Sequence, residues 1–173
     1  MSDPQTCPGC GAQLPAAERL PDHRVNAAPA CLAVYDEVVG FAYQHGQLMR
    51  QHQLTVDAYG AQHGGGGTPP IRLAYSLVGL HLALDHGLTG EQVRAAHMRM
   101  GKPDASWPRF TPPEDVGAVT VLAVAERGAR VGSPSGHVAA VDSWAGQAWR
   151  AWSDQHDEVA ALTRRLLADL VSG

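Results

Sequence analysis

The sequence predicts an all-α protein, a bundle of five or six helices with a small zinc knuckle at its N-terminal end. Apolar residues recur at helical spacing in several segments after residue 30, and proline, serine or threonine start signals precede most of them. All three cysteines (Cys7, Cys10 and Cys31) lie near the start of the chain. With no domain boundary visible after residue 30, we expect a single domain over residues 1–173, with segment 1–30 packed on a helical bundle, 31–173.

The bulk composition fits a globular protein and argues against several partners. Hydrophobic residues make up 45% and charged residues 17% of the 173 positions, enough for one domain with a proper core. A net charge of −4 disfavours nucleic acid, whose binders need a basic surface. No apolar run is long enough to span a bilayer, and the first residues lack a secretory signal. We therefore expect a cytoplasmic protein with no membrane or nucleic-acid partner.

The cysteines and one histidine predict a structural zinc site. CPGCG forms a tight turn in which glycines let backbone amides point back at thiolates. His23 and Cys31 follow at spacings typical of zinc ligands, so Cys7, Cys10, His23 and Cys31 are the predicted set. A CxxC redox pair or a chance cluster beside a turn are the alternatives. The redox pair is disfavoured because no βαβ pattern surrounds it.

The first helix is expected to begin at Pro29 or Ala30, since proline suits the first helical turn. Cys31 in this helix would clamp the zinc loop onto the bundle. A second helix is predicted over Gln53 to His63. The GGGG run at 64–67 then predicts a flexible loop, either a lid or a tolerated insertion.

The third helix has the clearest end signals, with Thr68 as the expected N-cap, Pro69 as the first helical residue and Gly87 as the stop. A fourth helix is predicted from Thr89, whose capping box Gln92 completes.

The run AVTVLAVAE could form a strand, but no partner strand is apparent, so a short helix beginning near Thr120 is predicted. The last helix is expected to run unbroken from Ser133–Pro134 to Val171, with the C-terminal tryptophans in the core.

Several of these motifs together resemble an uncharacterised bacterial family of unknown function. Its members open with a CPGCG knuckle and carry a central LTVDAYAVQHPG-like motif, which this chain matches with LTVDAY and the following QH. The chain also shares the CPGCG run, His23, Cys31, the helical His81-Leu82 and a C-terminal WxxW-xxx-H. The chain departs from the pattern after His63, where GGGG replaces the usual proline and glycine, and at Leu32, where tryptophan is expected after Cys31. The resemblance implies no activity.

A second candidate site comes from polar residues on inward-facing stripes. Asp57, His63, His81 and His156 are predicted to converge in the bundle interior beneath the GGGG loop, as a catalytic centre or a site for a second divalent metal. A buried polar network, or unrelated surface positions, are the alternatives. Four other histidines lack an inward pattern and are predicted to be solvated: His45, His86, His97 and His137.

Two function classes follow. The first is a metal-dependent enzyme acting on a small-molecule substrate in the bundle interior. The second is a non-catalytic, zinc-stabilised module that binds a protein or a small ligand.

Overall fold

Seven α-helices and one two-stranded ribbon make up the computed structural model, which describes residues 4–101 and 105–171. The all-α class is therefore confirmed. The elements in chain order are β1 (Gln5–Thr6), β2 (Gln13–Leu14), α1 (Pro29–Gln44), α2 (Met49–Gln62), α3 (Pro70–Leu84), α4 (Gly90–Met100), α5 (Val121–Arg127), α6 (Pro134–Ala151) and α7 (His156–Val171).

Side-chain caps stand at the starts of α4, α5 and α6. The Thr89 hydroxyl accepts from the backbone N–H of Gln92, and the Gln92 side chain accepts from the Thr89 N–H, as the capping box predicts. Thr120 caps α5, which confirms the short helix. Thr68 is an exception, because its hydroxyl donates to the carbonyl of His63 instead, and α3 begins one residue later than predicted, after Pro69.

Helix α2 lies at the centre of the bundle and packs against α1, α3, α4 and α6. Its close approach to α3 depends on Gly79, where a Cβ would overlap the carboxyl group of Asp57. Toward the end of α2, the Gln62 side chain accepts from the Trp144 indole N–H at 2.9 Å and donates to two loop carbonyls. These bonds join α2, α6 and the loop before α5.

The predicted unbroken C-terminal helix divides into α6 and α7, which is why seven helices form instead of six. A short 3₁₀ turn at Ser153–Gln155 separates them, next to the buried Trp152. The indole N–H of Trp152 donates to the carbonyl of Ala61 at 3.2 Å. Gln155 exchanges two hydrogen bonds with the backbone of Thr111. These tertiary bonds fix a bend that helical periodicity alone does not show.

The N-terminal segment packs on the bundle through the knuckle. Strands β1 and β2 pair antiparallel on either side of the CPGCG turn, with Gln5 opposite Leu14. Cys7 and Leu14 are buried in the same core cluster as α1, α2 and α3. None of the described helices combines the length and apolar character that crossing a bilayer requires.

Candidate metal centre

The CPGCG turn brings Cys7 and Cys10 to one side of the N-terminal ribbon. The backbone N–H of Cys7 donates to the carbonyl of Ala12, and the N–H of Gly11 donates to the carbonyl of Cys7, both at 2.9 Å. Gly11 has a φ of +73°, a left-handed conformation that glycine adopts without strain. The turn therefore holds both thiols in the same direction, toward the bundle.

Helix α1 supplies the third thiol. Because the helix begins at Pro29, Cys31 lies in its first turn, where it faces the knuckle and is fully buried. Its Sγ atom lies 3.8 Å from the Sγ atom of Cys10. The Tyr59 hydroxyl also reaches Cys31 Sγ, at 3.6 Å. This position confirms that Cys31 joins the N-terminal segment to the first helix.

His63 completes the cluster from the C-terminal end of α2. Its Nδ1 atom lies 2.8 Å from the carbonyl oxygen of Tyr59, so Nδ1 carries a proton and donates. That bond leaves Nε2 to face the cysteines, 3.4 Å from the Sγ of Cys31. The ring has no solvent exposure and stacks on Tyr59 with centroids 4.0 Å apart.

Neighbouring backbone contacts hold His63 in this position. The N–H of Asn26 donates to the His63 carbonyl at 3.1 Å, which ties the segment before α1 to the end of α2. Gly9 lies directly over the imidazole, and a Cβ at this position would overlap the ring and the Asn26 carbonyl. A glycine at the middle position of CPGCG is thus needed for this close approach.

The four side chains have the separations of a tetrahedral metal site. The ligand atoms of Cys7, Cys10, Cys31 and His63 all lie within 4.8 Å of one another. Zinc bonds of about 2.3 Å to sulfur and about 2.0–2.1 Å to nitrogen give tetrahedral edges of about 3.8 Å for S···S and about 3.6 Å for S···N. The observed 3.8 Å and 3.4 Å are close to both values. The residues therefore fit a Cys₃His metal site.

The electrostatics of the cluster follow from packing three thiols and an imidazole together away from water. A hydrogen bond from Cys10 lowers the pKa of the Cys7 thiol, whereas hydrogen bonding with Cys10 raises the pKa of Cys31. Burial alone would lower the pKa of His63, but hydrogen bonds to Cys10 and Cys7 outweigh it and raise the pKa to about 9. A bound metal would replace these protons as the positive partner of the thiolates.

The cluster differs from the predicted ligand set at its fourth position. The predicted fourth ligand, His23, lies closest to the cysteines in the chain, but it is exposed and is not part of the group. His63 occupies the position because the end of α2 lies beneath the knuckle. The GGGG run follows directly, and Gly66 packs against the side chain of Asn26 in the same region.

The structure does not bring the predicted interior centre together. His63 belongs to the cysteine cluster, whereas Asp57 accepts from Gln53 at 3.1 Å, between α2 and α3. The ring centroids of His81 and His156 lie 5.9 Å and 3.7 Å from that of Trp149, and the His81 Nδ1 also contacts Asp85 at 2.8 Å. Each of these side chains therefore has its own partners, and among the described residues the four do not form one metal-binding group.

Of the four histidines predicted to be solvated, His137 is buried and His97 is half-buried. His137 has no solvent exposure, and both of its ring nitrogens are buried without a hydrogen-bond partner among the described residues. It lies on the same stripe of α6 as Val141 and Trp144, a signal that periodicity could have found. His97 is buried enough that its pKa falls to about 4. His86 is exposed, as predicted, and His45 is half-buried.

The fold and this cluster define a small all-α protein with a knuckle-like Cys₃His group that could hold a metal ion. The chain belongs to the Family of unknown function (DUF5946), which matches residues 5–153. This match confirms the resemblance to an uncharacterised family. No curated protein and no solved structure matches the chain.

Proposed function

We propose that this chain is a small zinc-binding protein in which one zinc ion, held by Cys7, Cys10, Cys31 and His63, joins the N-terminal segment to the helical bundle. The observation that carries the proposal is the burial of these four side chains with their ligand atoms all within 4.8 Å of one another. Three thiolates and an imidazole are soft donors, a set that suits zinc better than magnesium or calcium, which prefer oxygen.

The donor set favours a structural role for the zinc. Four protein ligands close the coordination shell, whereas catalytic zinc sites keep one position open for water or substrate. The four side chains are also buried, and Tyr59 and Gly9 cover the cluster on two sides. We therefore favour the zinc-stabilised, non-catalytic module over an enzyme that uses this zinc in its reaction.

A second divalent metal has less support. Within the described ranges, only the Cys₃His group brings three or more metal-binding side chains together. His81 and His86 place their Nε2 atoms 3.2 Å apart, but a hydrogen bond between the two imidazoles explains that contact. The proposal is thus one metal per chain.

The proposal includes a reducing compartment such as the cytoplasm. The three cysteines are free and buried together, and zinc thiolates persist where disulfides are kept reduced.

Metal analysis of protein purified without chelator tests the proposal. We expect one zinc per chain, and two metals would support the enzyme instead.

Hydrogen exchange before and after chelation adds a structural readout. Removing zinc should expose amides of residues 5–14 and of the end of α2, because structural zinc binding is folding free energy. The amides of α6 are the internal control and should change much less. A chain with no metal, or chelation that leaves the knuckle equally protected, would contradict a structural zinc.

A further inference from the structure

A cleft of about 540 Å³ opens beside the knuckle, between the N-terminal segment and helices α1 to α4. This volume is in the range of small-molecule sites, which combine apolar and aromatic walls with a few polar groups. Exposed residues, among them Ile71 and Arg72, form its rim, and the buried Asp57 lies at its floor. The cleft is separate from the metal cluster, although Tyr59 borders both.

The floor contains a carboxyl group without a cationic partner. Asp57 is only 2% exposed, and among the described residues Gln53 alone donates to it, with one amide nitrogen at 3.1 Å from both oxygens. The same Gln53 nitrogen lies 3.4 Å from Nδ1 of His97. His97 is neutral at pH 7, because burial lowers its pKa to about 4. The floor therefore offers Asp57 no positive charge.

The arginines near the cleft do not supply that charge. Arg19 forms an ion pair with Asp36 at 2.8 Å, and Arg72 lies at the exposed rim, where solvent screens its field. A buried carboxyl with so few donors is costly to the fold, and burial raises the pKa of Asp57 well above its ordinary value. The neighbouring helix makes room for it, since Gly79 has no Cβ to overlap it. Such a group in a cleft is a candidate for ligand recognition.

Aromatic rings line the walls above this floor. Tyr35 and Tyr59 lie with ring centroids 4.2 Å apart, and Tyr75 lies 5.2 Å from the ring of His97. The faces of aromatic rings attract cations, most strongly where water is excluded. The walls and the floor thus favour the same kind of ligand.

We propose that this cleft binds a small organic cation, an ammonium or amidinium group on an apolar or aromatic body, with the cationic N–H donors on the Asp57 carboxylate. The ligand supplies the positive charge and the further hydrogen bonds that the described residues do not give this carboxyl group. This binding site goes beyond the structural zinc and does not depend on it.

Titration of the zinc-loaded full chain with benzamidine, monitored by NMR chemical shifts, tests the proposal. Benzamide is the neutral isostere and benzoate is the anionic one. Benzamidine should bind at least about tenfold more tightly than benzamide and should shift signals of residues around the cleft, since hydrogen bonds to charged groups are the stronger kind. Asp57→Asn keeps the shape of the floor but cannot form a carboxylate, and should weaken benzamidine binding by about tenfold or more while leaving benzamide nearly unchanged. Asp154→Asn, an exposed change outside the cleft, is the matched control and should have no effect.

A second variant tests the cleft in case Asp57→Asn impairs folding. Ile71→Trp changes an exposed residue at the rim and should obstruct binding of every probe without touching the floor. Equal affinity for benzamidine and benzamide, preference for benzoate, unchanged benzamidine binding in Asp57→Asn, or no binding of benzamidine in the cleft would each overturn the proposal.

Discussion

Alanine replacements of His63 and of His23 distinguish the metal ligand set seen in the structure, which contains His63, from the set predicted by local spacing, which contains His23. His63 has no solvent exposure, and its Nε2 lies 3.4 Å from Cys31 Sγ. His23 is exposed and lies outside the cluster. Each variant removes one imidazole, so the pair is matched in chemistry and differs in position.

The expected loss follows from the binding energy of a four-ligand site. Structural zinc sites bind with about 10–16 kcal/mol, so one of four ligands carries an average share of about 2.5–4 kcal/mol. At about 1.4 kcal/mol per factor of ten, His63→Ala should weaken zinc binding about 10²- to 10³-fold. His23→Ala should change the affinity less than about twofold. His63→Cys should restore most of the affinity, because Cys₄ sites also hold zinc.

Competition with a chromophoric chelator at fixed pH measures these affinities, and circular dichroism of each zinc-loaded variant checks the helical fold. The reasoning would be refuted if His23→Ala released the zinc, or if His63→Ala bound it as tightly as the unchanged protein. Failure of His63→Cys to recover affinity would show that the alanine variant lost binding through damaged packing.

Three further predictions concern the bundle. Gln62→Leu should lower the free energy of unfolding in urea by about 2–4 kcal/mol, because it leaves the Trp144 N–H and two loop carbonyls unpaired. Gln51→Leu, at a half-exposed position, is the control. An equal loss of stability in both variants would contradict this role of Gln62. Asp57→Asn should remove a pH dependence. Burial raises the folded-state pKa of Asp57, so above the ordinary pKa of about 3.9 only the unfolded state releases the proton. Between that pH and the folded-state pKa, the unfolding free energy of the unchanged protein should fall by about 1.4 kcal/mol per pH unit relative to the variant. Parallel curves of unfolding free energy against pH would refute this prediction. His137→Leu should raise the unfolding free energy by about 1 kcal/mol, since neither ring nitrogen has a hydrogen-bond partner in the part of the chain that the structure describes. A loss of stability would point to a bond that the imidazole makes.

Local chemistry made the helices predictable. The start of α4 depends on Thr89 and Gln92, and the start of α5 depends on Thr120, all of which act within one turn of the chain. The division between α6 and α7 could not be predicted, because the bonds that fix it join Trp152 and Gln155 to distant residues. Periodicity identifies an inward face, but it does not say which tertiary bonds interrupt a helix.

The metal cluster shows the same limit. Cys7, Cys10 and Cys31 were predicted from clustering and spacing, and the structure groups them. His63 lies far along the chain, at the end of α2, and only the packing of α2 beneath the knuckle brings it to Cys31. The same holds for the predicted interior centre, since in the structure Asp57 bonds to Gln53, His81 bonds to Asp85 and His63 joins the cysteines.

Zinc K-edge X-ray absorption of the protein as purified tests the central claim most directly, because it counts the sulfur and nitrogen ligands around the metal. The proposed site of Cys7, Cys10, Cys31 and His63 predicts three sulfur atoms at about 2.3 Å and one imidazole nitrogen at about 2.0–2.1 Å, with no bound water. His63→Ala should lose the imidazole scattering, and His23→Ala should keep it. A shell with two sulfurs, a water ligand in the unchanged protein, or an imidazole signal lost only in His23→Ala would contradict the account.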